Sequence, residues 1–183
     1  MKMKLRHDRI AQAIETLEYV YTHRARKFDM GVWLTLKYAE RAALIEGTEE
    51  GKEDSPLQVA INGCGTQACA LGWIASNPYA IKRGLFVGFI PGQQLCEVYF
   101  KDQATATGAA RLYFGITEAT ADMLFMPTYY KHDRGRTTLK AVIARMRCLL
   151  DAPTPELGEI AVADACACTG VDERDVAHIW RGY

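Results

Sequence analysis

Apolar residues recur every three or four positions over residues 5–24, where Ile10, Ile14, Leu17 and Tyr21 share one face and Gln12, Glu15 and Glu18 fall elsewhere. That period marks an amphipathic helix laid on a core. A basic exit of Arg24, Arg26 and Lys27 follows. Asp29 then predicts an N-cap, since its carboxylate can accept from the unpaired N–H groups of a helix carrying Met30, Trp33, Leu34, Leu36, Tyr38, Ala42 and Ile45. Gly47 ends that helix. Residues 48–56, dense in Glu, Gly, Lys and Asp, read as an exposed loop.

Residues 57–61 are a short apolar strand or extended lead-in to the turn Asn62-Gly63-Cys64-Gly65. Thr66 predicts the cap of a helix through Cys69, Leu71 and Trp73 to Ser76, stopped by Asn77-Pro78. Residues 85–90 and 95–100 flank Pro91-Gly92-Gln93-Gln94 as a β-hairpin. Small residues over 103–114 predict a helix ending at Gly115. Thr117 and Glu118 open a shorter one through Ala121, Leu124 and Phe125, closed before Pro127. Residues 129–136 are a polar, aromatic loop. Thr137 or Thr138 caps a helix with Leu139, Val142, Ile143, Met146 and Leu150 on one face. Thr154-Pro155 pairs an N-cap with proline at the first helical position, and this helix runs to Cys168 with Gly170 as its stop. Asp172 caps a last helix carrying Val176, Ile179 and Trp180.

These elements sum to an α+β fold: a predominantly helical single domain with one small β-hairpin and a C-terminal helix pair. Residues 1–150 make the main body, and residues 151–183 an acidic helical appendage packed on it. Composition fits one well-buried core: 183 residues, 49% hydrophobic and 24% charged. The 22 basic and 22 acidic residues cancel, so net charge argues for neither nucleic acid nor an anionic membrane. No stretch approaches the ~20 apolar residues that span a bilayer. The basic start lacks an apolar stretch behind it, so no export signal is expected. A cytoplasmic location follows, with Cys64, Cys69, Cys96, Cys148, Cys166 and Cys168 as reduced thiols.

Cys64 and Cys69 bracket a predicted helix start, where unpaired N–H groups favour a thiolate. A cysteine-dependent enzyme would use one of them as nucleophile with His132, beside Asp133, as base. The structural reading is preferred, because no histidine motif accompanies the pair. In it Gly63 and Gly65 free the backbone, Thr66 caps, and Cys64, Cys69, Gly72 and Trp73 belong to a packed fold element. For a metal knuckle, the spacing of Cys64 and Cys69 is wide and that of Cys166 and Cys168 too tight. No metal and no cofactor are expected.

Charge is segregated near the end of the chain. Lys131, Arg134, Arg136, Lys140, Arg145 and Arg147 face one acid, Asp133, with Tyr129 and Tyr130 beside them. Phosphate contacts with base stacking suit such a segment. From Asp151 onward Glu156, Glu159, Asp164, Asp172, Glu173 and Asp175 outnumber Arg174 and Arg181. The acidic helices either neutralise the basic helix in cis or dock on a partner through Ile179, Trp180 and Tyr183.

Phe28-Asp29-Met30 with Trp33, followed by Cys64-Gly65-Thr66-Gln67-Ala68-Cys69-Ala70-Leu71-Gly72-Trp73, resembles a group of small proteins from phages and bacterial genomes. Residues 109–115 and 117–127 are similar to that group's later block, a small-residue helix, a glycine, and a Thr-x-x-x-Ala-x-x-Leu-Phe-x-Pro ending. Residues 1–150 carry the resemblance. The chain departs from it in the long stretch 34–61 and in the C-terminal helices. The resemblance implies a phage or prophage origin and supplies no catalytic residues. With no paired-carboxylate motif, phosphate loop or nucleophile elbow, the expectation is a non-catalytic accessory protein in the host cytoplasm. It binds a host or viral protein, or a nucleic acid through residues 129–147, and no membrane.

Overall fold

Helix α1 (His7–His23) buries Ile10, Ala13, Ile14, Leu17 and Val20 along one face, the stripe its three-and-four spacing predicts. In this computed structural model, which describes residues 3–25, 28–30, 34–35, 67–89, 96–101, 103–131 and 135–168, that stripe is the spine of the core. Two helices lie against it: α2 (Ala70–Ala75) and α6 (Gly135–Leu150). Helix α6 contributes Leu139, Val142, Ile143, Met146 and Leu149. Burying one such aliphatic side chain stabilises by about 1.5–3 kcal/mol.

Helix α7 (Pro155–Cys168) turns back along α6 after a short connection, and Leu149 fills the space beside Gly158. Val162 and Cys166 carry α7 into the same core as the rest of the molecule. Between these helices and the sheet lie α4 (Ala106–Phe114) and α5 (Glu118–Phe125). Gly115 ends α4 at φ +69°, a left-handed C-cap that glycine takes without strain. Thr117 caps α5 by accepting from the Thr120 N–H.

The hairpin forms as its flanking runs predict: β3 (Leu85–Phe89) pairs antiparallel with β4 (Cys96–Phe100), Val87 opposite Val98. Leu85, Val87, Val98 and Phe100 face the core, while Phe86 and Tyr99 stack on the other face with ring centres 5.7 Å apart. A third strand, β5 (Ala104–Thr105), extends the sheet in the order β3-β4-β5. The fold is thus α+β, mostly helical, with a small three-stranded antiparallel sheet and a separate two-stranded pair among the described residues. No described helix is long and apolar enough to cross a membrane.

Five local expectations are corrected. Within the stretch 103–114 predicted as one helix, Ala104–Thr105 pairs with β4 as strand β5, and the helix starts only at Ala106. Leu34–Thr35 is a strand, β1, paired antiparallel with β2 (Gln67–Ala68), inside what periodicity predicts as a helix. Asp29 is buried, and its N–H donates to the Ala68 carbonyl at 3.1 Å while Phe28 bridges Ala68. A distant strand partner thus takes the Asp29 N–H and pairs with Leu34–Thr35, and tertiary pairing overrides local pattern. Helix α2 begins at Ala70 with Cys69, not Thr66, as its N-cap. Asn77-Pro78 stops α2 but also starts α3 (Pro78–Ile81), with the Asn77 side chain accepting from the Tyr79 N–H. Helix α6 begins at Gly135, ahead of Thr137 and Thr138, and Thr138 is buried in its first turns. The predicted elements at 36–66 and 172–183 lie outside the described residues.

Candidate functional site

Strand β2 delivers the chain to Cys69 in an extended conformation, and α2 starts at the next residue. The Cys69 Sγ accepts from the Gly72 N–H at 3.3 Å, so the thiol serves as the cap that Ser or Asp would usually provide. All six residues of α2 are buried, so the cap sits in the core and not at a mouth. Burial pushes the Cys69 thiol up to about 12, against the pull of the Gly72 and Leu71 N–H groups. Desolvation therefore wins over the helix terminus, and the thiol stays protonated. A buried, protonated thiol is no nucleophile. Gly72 and Trp73 are likewise internal: the Gly72 carbonyl accepts from the Ser76 hydroxyl, and the Trp73 ring lies 5.7 Å from the Arg24 guanidinium. Cys64, Gly65, Thr66 and the base candidate His132 fall outside the described residues.

The basic segment does not present itself as one patch. Arg145 is 0% exposed, a correction to its place among surface contacts. Its Nη1 donates to the Met123 carbonyl and its Nη2 to the Tyr129 carbonyl, each at 2.7 Å. Its guanidinium lies 4.0 Å from the centre of the Tyr130 ring, whose hydroxyl donates to the Leu124 carbonyl at 2.7 Å. Arg145 thus stitches the end of α5 and the 3₁₀ turn Pro127–Tyr129 to α6. Tyr129 is buried, and burial raises both phenols. Neither ring is offered for base stacking.

Of the other cations, Arg147 pairs with Glu18 on α1, so α1 neutralises part of the basic helix in cis. Both partners are exposed, and such a pair contributes about 0–1 kcal/mol. Arg136 lies 5.6 Å from the Tyr21 ring. Lys131 and Lys140 are exposed, while Arg134 and Trp180 lie outside the described residues.

Helix α7 shows a different surface. Pro155, Gly158, Val162 and Cys166 face inward, and Glu159 accepts from the Thr117 hydroxyl, fastening α7 to the start of α5. The opposite side presents Leu157 at 50% and Ile160 at 58% exposure, with Ala163 and Ala167 exposed along the same side. Glu156 and Asp164 border them. No sequence expectation singled out Leu157 or Ile160, although a helix apolar on more than one side is the signal that would have found them.

The class defined by these features is a helical α+β domain whose central cysteine and one arginine are internal parts, and whose penultimate predicted helix is apolar on its outer side. No family model, curated protein or solved structure matches the chain.

Proposed function

We propose that this chain is a non-catalytic accessory protein of phage or prophage type that acts in the host cytoplasm by binding a protein partner through the outer side of α7. The exposed pair Leu157 and Ile160 carries the reading. Two large aliphatics three residues apart, on a helix otherwise anchored in the core, match the spacing with which a helix fits an apolar groove. Glu156 and Asp164 at the border add orientation more than affinity. A stable interface covers about 800 Å² per partner, so Leu157 and Ile160 are the anchors of a larger contact.

The protonated, buried Cys69 supports a binding role over an enzyme that uses Cys69 as its nucleophile. The test is copurification from host cells with wild type, Leu157→Asp and Ile160→Asp. Loss of the partner with an unchanged melting temperature is expected for both variants. Retention of the partner by both variants removes the reading.

A further inference from the structure

Around the first turn of α1 the fold gathers side chains that the reading above leaves unused. The Arg9 guanidinium lies 4.7 Å from the centre of the Tyr113 ring, and its Nη1 donates to the Tyr113 carbonyl at 2.8 Å. Arg83, in the turn from α3 to β3, stacks 3.5 Å from the centre of the Tyr79 ring. The Tyr79 hydroxyl donates to Asp8 Oδ2 at 3.0 Å, which ties α3 to α1. Lys101, at the end of β4, donates its backbone N–H to the Gly84 carbonyl, and its ammonium lies 5.5 Å from the Phe100 ring. Phe100 in turn meets Tyr113 edge-on at 5.9 Å.

Three cations from three parts of the chain therefore converge on one aromatic cluster. The acid beside them is Asp8, next to Arg9 in the chain and acceptor of the Tyr79 hydroxyl. None of the three cations forms an ion pair with a described acid. A ring face holds a cation in place without cancelling its charge. Arg9 and Arg83 are thus pre-positioned, each with one nitrogen on a backbone carbonyl and with Asp8 offsetting part of the Arg9 charge, and the rest of the guanidinium fork matches phosphate oxygens. Cations spread over separate elements suit a chain of phosphates better than a single anion.

We propose that Arg9, Arg83 and Lys101 form a contact site for the phosphodiester backbone of a nucleic-acid strand. The site lies away from the segment 129–147 that charge patterning points to. Arg83 occupies one face of the half-buried Tyr79 ring and Tyr113 is buried, so the contact is made mainly to the backbone and depends little on sequence. This inference does not rest on the α7 surface, and either can fail alone.

The experiment is fluorescence anisotropy of a labelled single-stranded oligonucleotide titrated with the full chain at about 50 mM and about 200 mM salt. Saturable binding that weakens with salt is expected. Arg9→Gln with Arg83→Gln should weaken it by about ten-fold or more and lower the salt slope by about 1.4, two lost single-strand contacts at ~0.7 each. Lys101→Gln, at an exposed position, should weaken it by about three-fold, and Arg83→Lys, which keeps the charge but loses the fork and the stack on Tyr79, should fall between wild type and Arg83→Gln. Arg136→Gln with Lys140→Gln should change nothing. Melting curves establish that each variant is folded. The proposal is overturned by absence of saturable binding at the lower salt, or by wild-type affinity in both Arg83→Gln and Lys101→Gln. Equal loss in the Arg136→Gln, Lys140→Gln control also overturns it, as does full competition by tripolyphosphate at matched phosphate concentration.

Discussion

Replacing Arg145 with alanine asks how much a buried cation holds this core together. The change removes two charge-assisted hydrogen bonds of 2.7 Å, to the Met123 and Tyr129 carbonyls, and the guanidinium over Tyr130. Hydrogen bonds to a charged group are worth about 1.5–3 kcal/mol each, and a desolvated cation–π contact about 2 kcal/mol. Against their sum of roughly 5–8 kcal/mol stands the several kcal/mol needed to keep a charge out of water, which alanine no longer carries. The two carbonyls left without the guanidinium, and the cavity, bring the net loss to about 3–5 kcal/mol. Urea denaturation measures it: with a slope near ~2 kcal/mol per M, the midpoint falls by about 1.5–2.5 M. Arg145→Met keeps most of the volume without the charge and should cost less, about 1–3 kcal/mol. Arg136→Gln and Lys140→Gln, on the exposed side of the same helix, should stay within about 0.5 kcal/mol of wild type. A loss below about 1 kcal/mol for Arg145→Ala would refute the reasoning.

Cys69 should resist iodoacetamide in the native state over about pH 7–9 and react only on unfolding; rapid native labelling at that position contradicts its role as a buried cap. The thiol rises from 9.0 to about 12 on folding and the Tyr113 phenol from 10.0 to about 12, both chiefly through burial. The folded state therefore keeps protons that the unfolded state releases. Their contribution is complete below pH 9.0 and declines toward about 12, by up to ~1.4 kcal/mol per pH unit for each group. Denaturation midpoints across that window should fall, and Cys69→Ala should flatten the thiol's share of the slope. Gly115→Ala and Gly135→Ala both force alanine to positive φ, at +69° and +82°. At Gly135 a Cβ meets nothing within 4 Å, so only the left-handed penalty of about 1–2 kcal/mol applies. At Gly115 the Cβ runs into the Lys4 carbonyl, and the loss should exceed that of Gly135→Ala by about 2 kcal/mol or more. Equal losses, measured by thermal melts, contradict the packing of residues 3–6 against the end of α4.

Elements whose caps and apolar period agree are the ones legible in the sequence. The Gly115 stop, the Thr117 cap and the Thr154-Pro155 start rest on contacts within a few residues, and helix α1 and the hairpin announce themselves by apolar period and turn composition. Asp29 shows where that logic ends: its local signals point to a helix, yet the partner met by residues 28–29 and 34–35 is the strand at 67–68. The candidate site is less legible for a related reason. Arg145 looks like one of a run of cations, although it shares the stripe of Val142, Met146 and Leu149, and that spacing hints at burial. Cys69 lies at a true helix start, but its chemistry depends on whether the start faces water or core, which the packing of α1, β3 and β4 against α2 decides. Leu157 and Ile160 are ordinary core residues by type, and their exposure follows from which side of α7 meets α5 and α6.

Photo-crosslinking inside host cells tests the central claim most directly. A benzophenone side chain placed at Ile160 is compared with one at Tyr19, a site of nearly equal exposure, 58% against 54%, on a different helix. A discrete crosslinked species is expected from Ile160, abolished by Leu157→Asp, and none from Tyr19. Crosslinking from Ile160 no stronger than from Tyr19 would contradict the claim.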